Sequence, residues 1–497
     1  MKPLTSNTPN SYDTEMIPAI KPTGFREYDV RWKYPDDINL LGIQALGLGL
    51  GTQMYLRGLE PKMAVGHDYR SYSLSIKQAL TVGLMSAGIE VHDIGLALSP
   101  VAYYSQFALG LPAAAMVTAS HNPNGWTGVK IGMDPPLTHG PNEMAELRDI
   151  VLGGKGVTRS GGGLVTVNDM RAQYLDDVTK DVKISRPLKV IAACGNGTAG
   201  AFAPEALERI GVEVIPLHTE LDFNFPHYNP NPEDMKMLHD VADAVKKHGA
   251  DIGLAFDGDG DRCGVVDNTG DEIFADKMGV ILARDLAKTH KGALFVADVK
   301  STGLFGSDPM LKELGARCDY WMTGHSHMKR RVKETGALLG VEKSGHYFFA
   351  KPLGHGYDDG IVTAIEFCKL LDRNPDQTIA DLKDALPRTW ITPTMSPHCP
   401  DEEKYDVVKE VVARIEAMAA AGEHLAGQTI TDMVTVNGIR TTVEDGTWGL
   451  VRASSNTPNL VVVCESPVSE ARMREMFESL DNILQTFSNV GEYDQKI

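Results

Sequence analysis

Asp251-Ile-Gly-Leu-Ala-Phe-Asp-Gly-Asp-Gly-Asp-Arg262 runs an apolar segment straight into three carboxylates, Asp257, Asp259 and Asp261, separated only by single glycines. Residues 251–256 read as a buried strand, and in extended chain positions i, i+2 and i+4 share one side. The intervening glycines let the backbone wrap closely around an ion, and carboxylate oxygens are ligands for hard cations. The carboxyl end of such a strand is where open α/β sheets bind ligands. An EF-hand calcium loop needs Gly at its sixth position and Glu at its twelfth, and Arg262 and Asn268 stand there, so that loop is excluded. A solvated acidic turn does not account for the apolar strand that feeds it. The spacing predicts a Mg²⁺ site for phosphoryl transfer, with Arg262 available to a phosphate.

Around this loop the chain repeats one unit three times. Strand-like and helix-like runs alternate over 62–67, 72–87, 91–95, 100–109 and 113–118, then over 189–193, 199–210, 212–217, 233–248 and 251–256. They do so again over 293–299, 304–314, 318–322, 327–335 and 337–341. Units of this β-α-β-α-β form imply parallel pairing with right-handed crossovers. Each third strand leads into a polar loop: Thr118-Ala119-Ser120-His121-Asn122-Pro123, the aspartate loop, and Glu342-Lys343-Ser344-Gly345-His346. Residues 153–163, rich in glycine, read as a flexible connection. From about Thr389 the pattern changes to a helix over 405–421, strands over 430–436, 438–443, 449–453 and 460–464, and a helix over 469–487. The expected class is α/β: three tandem βαβαβ mixed-sheet domains plus a C-terminal α+β domain around a central cleft.

Composition bounds the function. A chain of 497 residues has room for about three or four domains. A hydrophobic fraction of 42% and a charged fraction of 23% are ordinary for a soluble globular protein, and a net charge of −18 argues against nucleic-acid or anionic-membrane partners. Cys194, Cys263, Cys318, Cys368, Cys399 and Cys464 are widely spaced with no CxxC pair, as in reduced cytosolic proteins. The opening MKPLTSNTPNSYD lacks the apolar core of a signal peptide, and the most apolar stretch, 38–59, is interrupted by glycines and fits a packed helix. A cytoplasmic location is expected.

Single residues carry two readings each. Ser120 can cap a helix or close a turn, but beside a magnesium loop its hydroxyl can carry a phosphoryl group whose oxygen joins the metal shell. His121 and Lys130 can be surface polar groups or stabilise the charge that moves with that group. Glu342 and Ser344 can end a strand or match adjacent sugar hydroxyls. The loop Arg452-Ala-Ser-Ser-Asn-Thr-Pro-Asn459 offers one guanidinium with hydroxyl and amide donors, which suits a phosphate, although such clusters are also ordinary turns.

In this combination the chain resembles the α-D-phosphohexomutase superfamily, most closely its phosphomannomutase/phosphoglucomutase members, from about Phe25 to the C-terminus. The resemblance implies a phosphoserine domain over 1–164, a metal-binding domain over 165–272, a sugar-binding domain over 273–388 and a phosphate-binding domain over 389–497. It implies that Ser120 is the phosphoserine and that Asp257, Asp259 and Asp261 hold one Mg²⁺ per chain together with the Ser120 phosphate. Glu342, Ser344 and His346 match the sugar-reading loop, and Arg452, Ser454, Asn456 and Thr457 fall in the phosphate loop. Tyr28 and Arg31 match an N-terminal segment of the cleft, and Lys300, Gly324 and His325 match further cleft positions. Arg262 follows the metal loop into the site, and His346 and His325 are both candidate proton carriers.

The implied activity is reversible phosphoryl transfer between the C6 and C1 hydroxyls of a hexose monophosphate, of mannose and also of glucose. It passes through a 1,6-bisphosphate intermediate, with hexose 1,6-bisphosphate as activator. A phosphoglucosamine mutase is the nearest alternative, but such relatives typically carry Ser-Gly-Thr-Glu-Pro where this chain has Ser455-Asn456-Thr457-Pro458. A non-catalytic sugar-phosphate-binding relative is the other, and loss of the serine or of an aspartate would favour it; both are kept. Oligomeric state is not readable. Trp32 stands where the family usually has Gly, which puts the local backbone in question. Trp126-Thr-Gly-Val-Lys130 replaces a common Tyr-Asn-Gly-Phe-Lys but keeps the lysine at its offset.

Overall fold

Strands that alternate with helices fold here as parallel cores, each extended by strands the alternation does not predict. The computed structural model describes residues 18–455 and 457–495. These divide into two bodies: one runs to Ala275 and takes back Val332–Glu334 and Ser344–Asp381, and the other holds Asp276–Arg331, Thr335–Lys343 and the chain from Leu382.

In the first body, β1 (Val30–Lys33), β2 (Lys62–His67), β3 (Glu90–Leu96), β4 (Ala113–Val117), β5 (Trp126–Met133) and β6 (Gly163–Thr166) form one sheet in the order β1-β5-β4-β2-β3-β6. β2 pairs in parallel with β3 and β4, and the helices Ser73–Ser86 and Ser99–Leu109 make the crossovers. All five residues of β4 are buried, as for a strand covered on both faces. β5 then returns antiparallel, Val117 opposite Val129, so the serine loop is the tip of a hairpin.

The helix Leu40–Leu56 lies against Ser73–Ser86 through small residues: a Cβ at Gly83 would stand 2.1 Å from the Gln44 carbonyl. Of the glycines in the apolar stretch 38–59, Gly47 serves this contact, since a Cβ there would stand 2.4 Å from the Leu80 carbonyl oxygen. Trp32 is an ordinary strand residue, fully buried in β1, with Nε1 donating to the Lys21 carbonyl at 2.8 Å and its ring edge-on to Phe25. Gly24 makes room for that ring, which resolves the question raised by this departure. Residues 153–163, read as a flexible connection, are tied to the end of the helix Ser73–Ser86: Arg159 N–H donates to the Ser86 carbonyl at 2.9 Å, and the segment leads into β6 beside β3.

The same body holds a second sheet, β7 (Lys189–Ala193), β8 (Glu213–Leu217), β9 (Ile252–Phe256), β10 (Cys263–Asp267) and β11 (Glu272–Ile273), ordered β11-β10-β9-β7-β8. β7, β8 and β9 are parallel, and β10 turns back on β9 with Phe256 opposite Cys263. The aspartate loop is thus also a hairpin tip.

In the second body β12 (Leu294–Asp298) pairs in parallel with β13 (Arg317–Trp321) and β14 (Leu339–Val341). The helix expected over 304–314 is two, Leu304–Ser307 and Pro309–Glu313, because Pro309 cannot continue the first and Asp308 caps the second. β15 (Tyr347–Phe349) lies in the first body. β16 (Trp390–Ile391), β17 (His424–Leu425), β18 (Gln428–Val434), β19 (Ile439–Val443), β20 (Trp448–Ala453) and β21 (Leu460–Ser466) then form an antiparallel sheet with helices Lys404–Ala421 and Glu470–Leu484, the α+β unit expected.

Candidate active site

Within the first body the two hairpin tips meet. Ser120 Oγ donates to Asp257 Oδ2 at 3.2 Å and lies 3.3 Å from His121 Nδ1, and its side chain is buried. Gly258 permits this approach: a Cβ there would stand 2.5 Å from the Ser120 carbonyl oxygen. Ser120 itself takes φ 52°, a left-handed conformation uncommon for serine and typical of constrained functional positions. Lys130, on β5, reaches across to the aspartate loop, contacting Asp261 Oδ2 and, at 2.7 Å, Asp259 Oδ2. Arg262 Nη1 pairs with Glu233 at 3.1 Å and its Nε faces His346 Nε2 at 3.3 Å, while residues 262 and 346 also form a backbone bridge. His346 Nε2 stands 3.5 Å from Asp261 Oδ1 and 3.8 Å from Asp358 Oδ2, and its Nδ1 is 3.0 Å from Ser344 Oγ. Arg31, on β1, pairs with Asp29 at 2.7 Å, and Tyr28 precedes that strand, half-buried.

Three fully buried carboxylates set the electrostatics. Burial, joined by the charges of Asp261 and Asp259, pushes Asp257 well above the usual carboxylate range. Burial acts the same way on Asp259 and Asp261, but Lys130 outweighs it and holds both below that range. Burial alone would lower the Lys130 ammonium, yet its two carboxylates raise it, so it stays charged. Desolvation, with Arg262, Arg31 and Lys130 close by, pushes His121 well below its ordinary value and keeps the ring neutral. Asp257, Asp259 and Asp261 offer oxygens within 4.8 Å of one another. Asp259 Oδ1 and Asp261 Oδ1 are buried with no hydrogen-bond partner among the described residues. An all-oxygen set of this kind fits a hard divalent cation.

The remaining predicted positions lie in the second body. Glu342 is buried at the end of β14 and accepts from the Gly324 N–H at 2.5 Å. His325 opens the helix His325–Thr335, with Nδ1 3.2 Å from the Nζ of fully buried Lys329. Lys300 follows β12, half-buried. Arg452, buried on β20, donates to the Ala453 carbonyl at 2.8 Å. Ser454 Oγ accepts from Thr457 Oγ1 at 2.9 Å within the same turn. Asn456 lies outside the described residues. The boundary between the two bodies falls within the expected sugar-reading loop, with Glu342 in one and Ser344 and His346 in the other.

The chain matches the phosphoglucomutase/phosphomannomutase family in four consecutive parts: alpha/beta/alpha domain I over 22–155, domain II over 172–270, domain III over 274–390 and the C-terminal domain over 398–483. It is 36% identical over 467 residues to a phosphomannomutase/phosphoglucomutase of Pseudomonas putida, covering 93% of this chain and 96% of that one. The chain belongs to the phosphoglucomutase/phosphomannomutase family. Another family member, the phosphomannomutase/phosphoglucomutase of Pseudomonas aeruginosa PAO1, is 35% identical over 469 residues, 94% of this chain and 97% of its own. A crystal structure of a family protein from Burkholderia thailandensis shares the fold with a TM-score of 0.83 at 29% identity, covering 95% of this chain and all of that one. The four-domain α/β architecture with mixed sheets is that of the family, and the chain is a phosphohexomutase.

Three supports of this site carry no local motif. Asp68, just after β2, accepts from Thr118 Oγ1 at 2.8 Å and from Ser73 Oγ, and is paired with Arg70. Arg70 donates to the carbonyls of Ser120 at 3.0 Å, Asn122 at 2.7 Å and Pro123 at 3.2 Å, clamping the serine loop from behind. Ser99, after β3, donates to Asp259 Oδ2 at 2.5 Å. All three follow parallel strands at their carboxyl ends, so a reading of every strand end, not only the third of each unit, would have found them.

Proposed function

We propose that this phosphohexomutase moves its phosphoryl group through Ser120. The P–O bond to Ser120 Oγ breaks as a free C6 or C1 hydroxyl of the sugar forms a new one. The hydroxyl proton leaves through His346 or His325, and the Ser120 oxygen is reprotonated. The resulting hexose 1,6-bisphosphate turns in the site and returns its other phosphate to Ser120; the same compound, added freely, restores the phosphoserine and acts as activator. Lys130, Arg262 and neutral His121 surround the transferring group with donors and positive charge. Asp257, Asp259 and Asp261, with the Ser120 phosphate, hold one Mg²⁺ per chain. Bound there, the cation neutralises charge on the phosphoryl oxygens.

Tyr28, Arg31, Lys300, Gly324, His325, Glu342, Ser344, Arg452, Ser454, Asn456 and Thr457 bind the hexose monophosphate. Division of labour follows 1–164 for the phosphoserine, 165–272 for the metal, 273–388 for the sugar and 389–497 for the phosphate. A pair such as Glu342 and Ser344, reading the 3- and 4-hydroxyls, does not sense C2, where mannose and glucose differ, so both 1-phosphates are substrates. Among the described residues no helix is long and apolar enough to cross a membrane, and the six cysteines are free, which supports a cytoplasmic location.

The observation that carries the proposal is the hydrogen bond between Ser120 Oγ and the acidic loop, 3.2 Å from Asp257 Oδ2, with Lys130 shared by Asp259 and Asp261. Intact mass before and after phosphatase treatment is expected to reveal one phosphate, absent in Ser120→Ala, and that variant is expected to lose nearly all turnover while still binding substrate. Full turnover by Ser120→Ala would refute the assignment. Comparison of kcat/KM for mannose, glucose and glucosamine 1-phosphates tests the substrate, with the first two expected to be comparable and the third poor.

A further inference from the structure

Ser99 opens the eleven-residue helix Ser99–Leu109 and is fully buried. It touches the aspartate loop twice: its N–H donates to the Asp259 carbonyl at 3.0 Å and its Oγ to Asp259 Oδ2 at 2.5 Å. Lys130 Nζ reaches the same oxygen at 2.7 Å. Oδ2 therefore takes both donors, whereas Oδ1 is buried with no hydrogen-bond partner among the described residues. A carboxylate turns about a soft torsion and can present either oxygen. Lys130 alone cannot fix the choice, because its long side chain is divided between Asp259 and Asp261. A short hydroxyl on a helix, held by its own backbone hydrogen bond to the same residue, can. Outer partners of this kind orient metal ligands.

We propose that Ser99 is a positioning residue of the cation site: by holding Oδ2 of Asp259, it aims Oδ1 at the metal. This rests on the reading of the acidic loop as a divalent-cation site. The test is Mn²⁺ titration of the full chain, followed by the EPR signal of free Mn²⁺, with the phosphorylation state of Ser120 matched by intact mass. The unsubstituted protein is expected to bind one Mn²⁺ and Asp259→Asn to bind it far more weakly; no binding by the unsubstituted protein would overturn the cation reading itself. Ser99→Ala and Ser99→Cys, the latter keeping the side-chain shape with a poor donor, are each expected to weaken Mn²⁺ binding about 10–100-fold, measured well below the thermal midpoint of each variant. If the cation site is real but Ser99 is merely structural, both variants bind Mn²⁺ as the unsubstituted protein does, whatever their thermal midpoints. That result overturns the proposal.

Discussion

At the scale of single residues, one buried charge shows how converging donors hold a carboxylate in the interior. Glu465, on β21, is 1% exposed and takes five: Lys277 Nζ at 2.8 Å, Thr302 Oγ1 at 2.8 Å and Thr389 Oγ1 at 2.6 Å on Oε1, with Gly303 N–H at 2.6 Å and Trp448 Nε1 at 2.9 Å on Oε2. Burial alone would raise its pKa, but Lys277 and the hydrogen bonds outweigh it and hold the carboxyl at about 2. A carboxyl depressed on folding contributes stability that is complete above its unfolded pKa and is lost as pH falls toward the folded one. The pH window is therefore about 4.5 down to about 2, and the contribution is ~3 kcal/mol. Denaturant titrations of the native protein and of Glu465→Gln should show a gap that narrows from about pH 5 to about pH 3. A gap independent of pH would contradict the assignment.

Secondary-structure elements position the site through two hairpins. Serine and aspartate loops approach so closely that Gly258→Ala must displace one of them, since the added carbon would stand 2.5 Å from a backbone oxygen. The expected cost is ~1–3 kcal/mol of stability. A fall in kcat of at least tenfold should accompany it, because Ser120 moves relative to Asp257. Unchanged kcat at full occupancy of substrate would show that the contact is dispensable.

The same hairpins explain what was legible. Asp257, Asp259 and Asp261 are local, spaced by the period of extended chain, and could be read directly. β5 and β10 begin at Trp126 and Cys263, immediately after polar loops, and no alternation with helices announces an antiparallel return. Ser99 and Arg70 act over separations of 160 and 50 residues, which local pattern does not encode. Trp32, by contrast, is a departure whose outcome depended on a neighbour, Gly24, being small enough to admit the ring.

For the molecule as a whole, the architecture follows from repetition: three parallel cores present polar loops at strand ends, and a different, antiparallel unit closes the chain. The family match spans all four parts in order, which makes the phosphohexomutase assignment one of the whole chain and not of a single motif. What that assignment leaves to the chemistry is the route of the phosphoryl group, and the central claim is that Ser120 carries it. The direct measurement is a single turnover. Enzyme labelled with ³²P by a hexose 1,6-bisphosphate is desalted, freed of sugar, and mixed with unlabelled glucose 1-phosphate and Mg²⁺. The label is expected to leave Ser120 and appear in the hexose bisphosphate and monophosphate pool within one turnover. Label that stays on the protein while unlabelled substrate is converted would contradict the account.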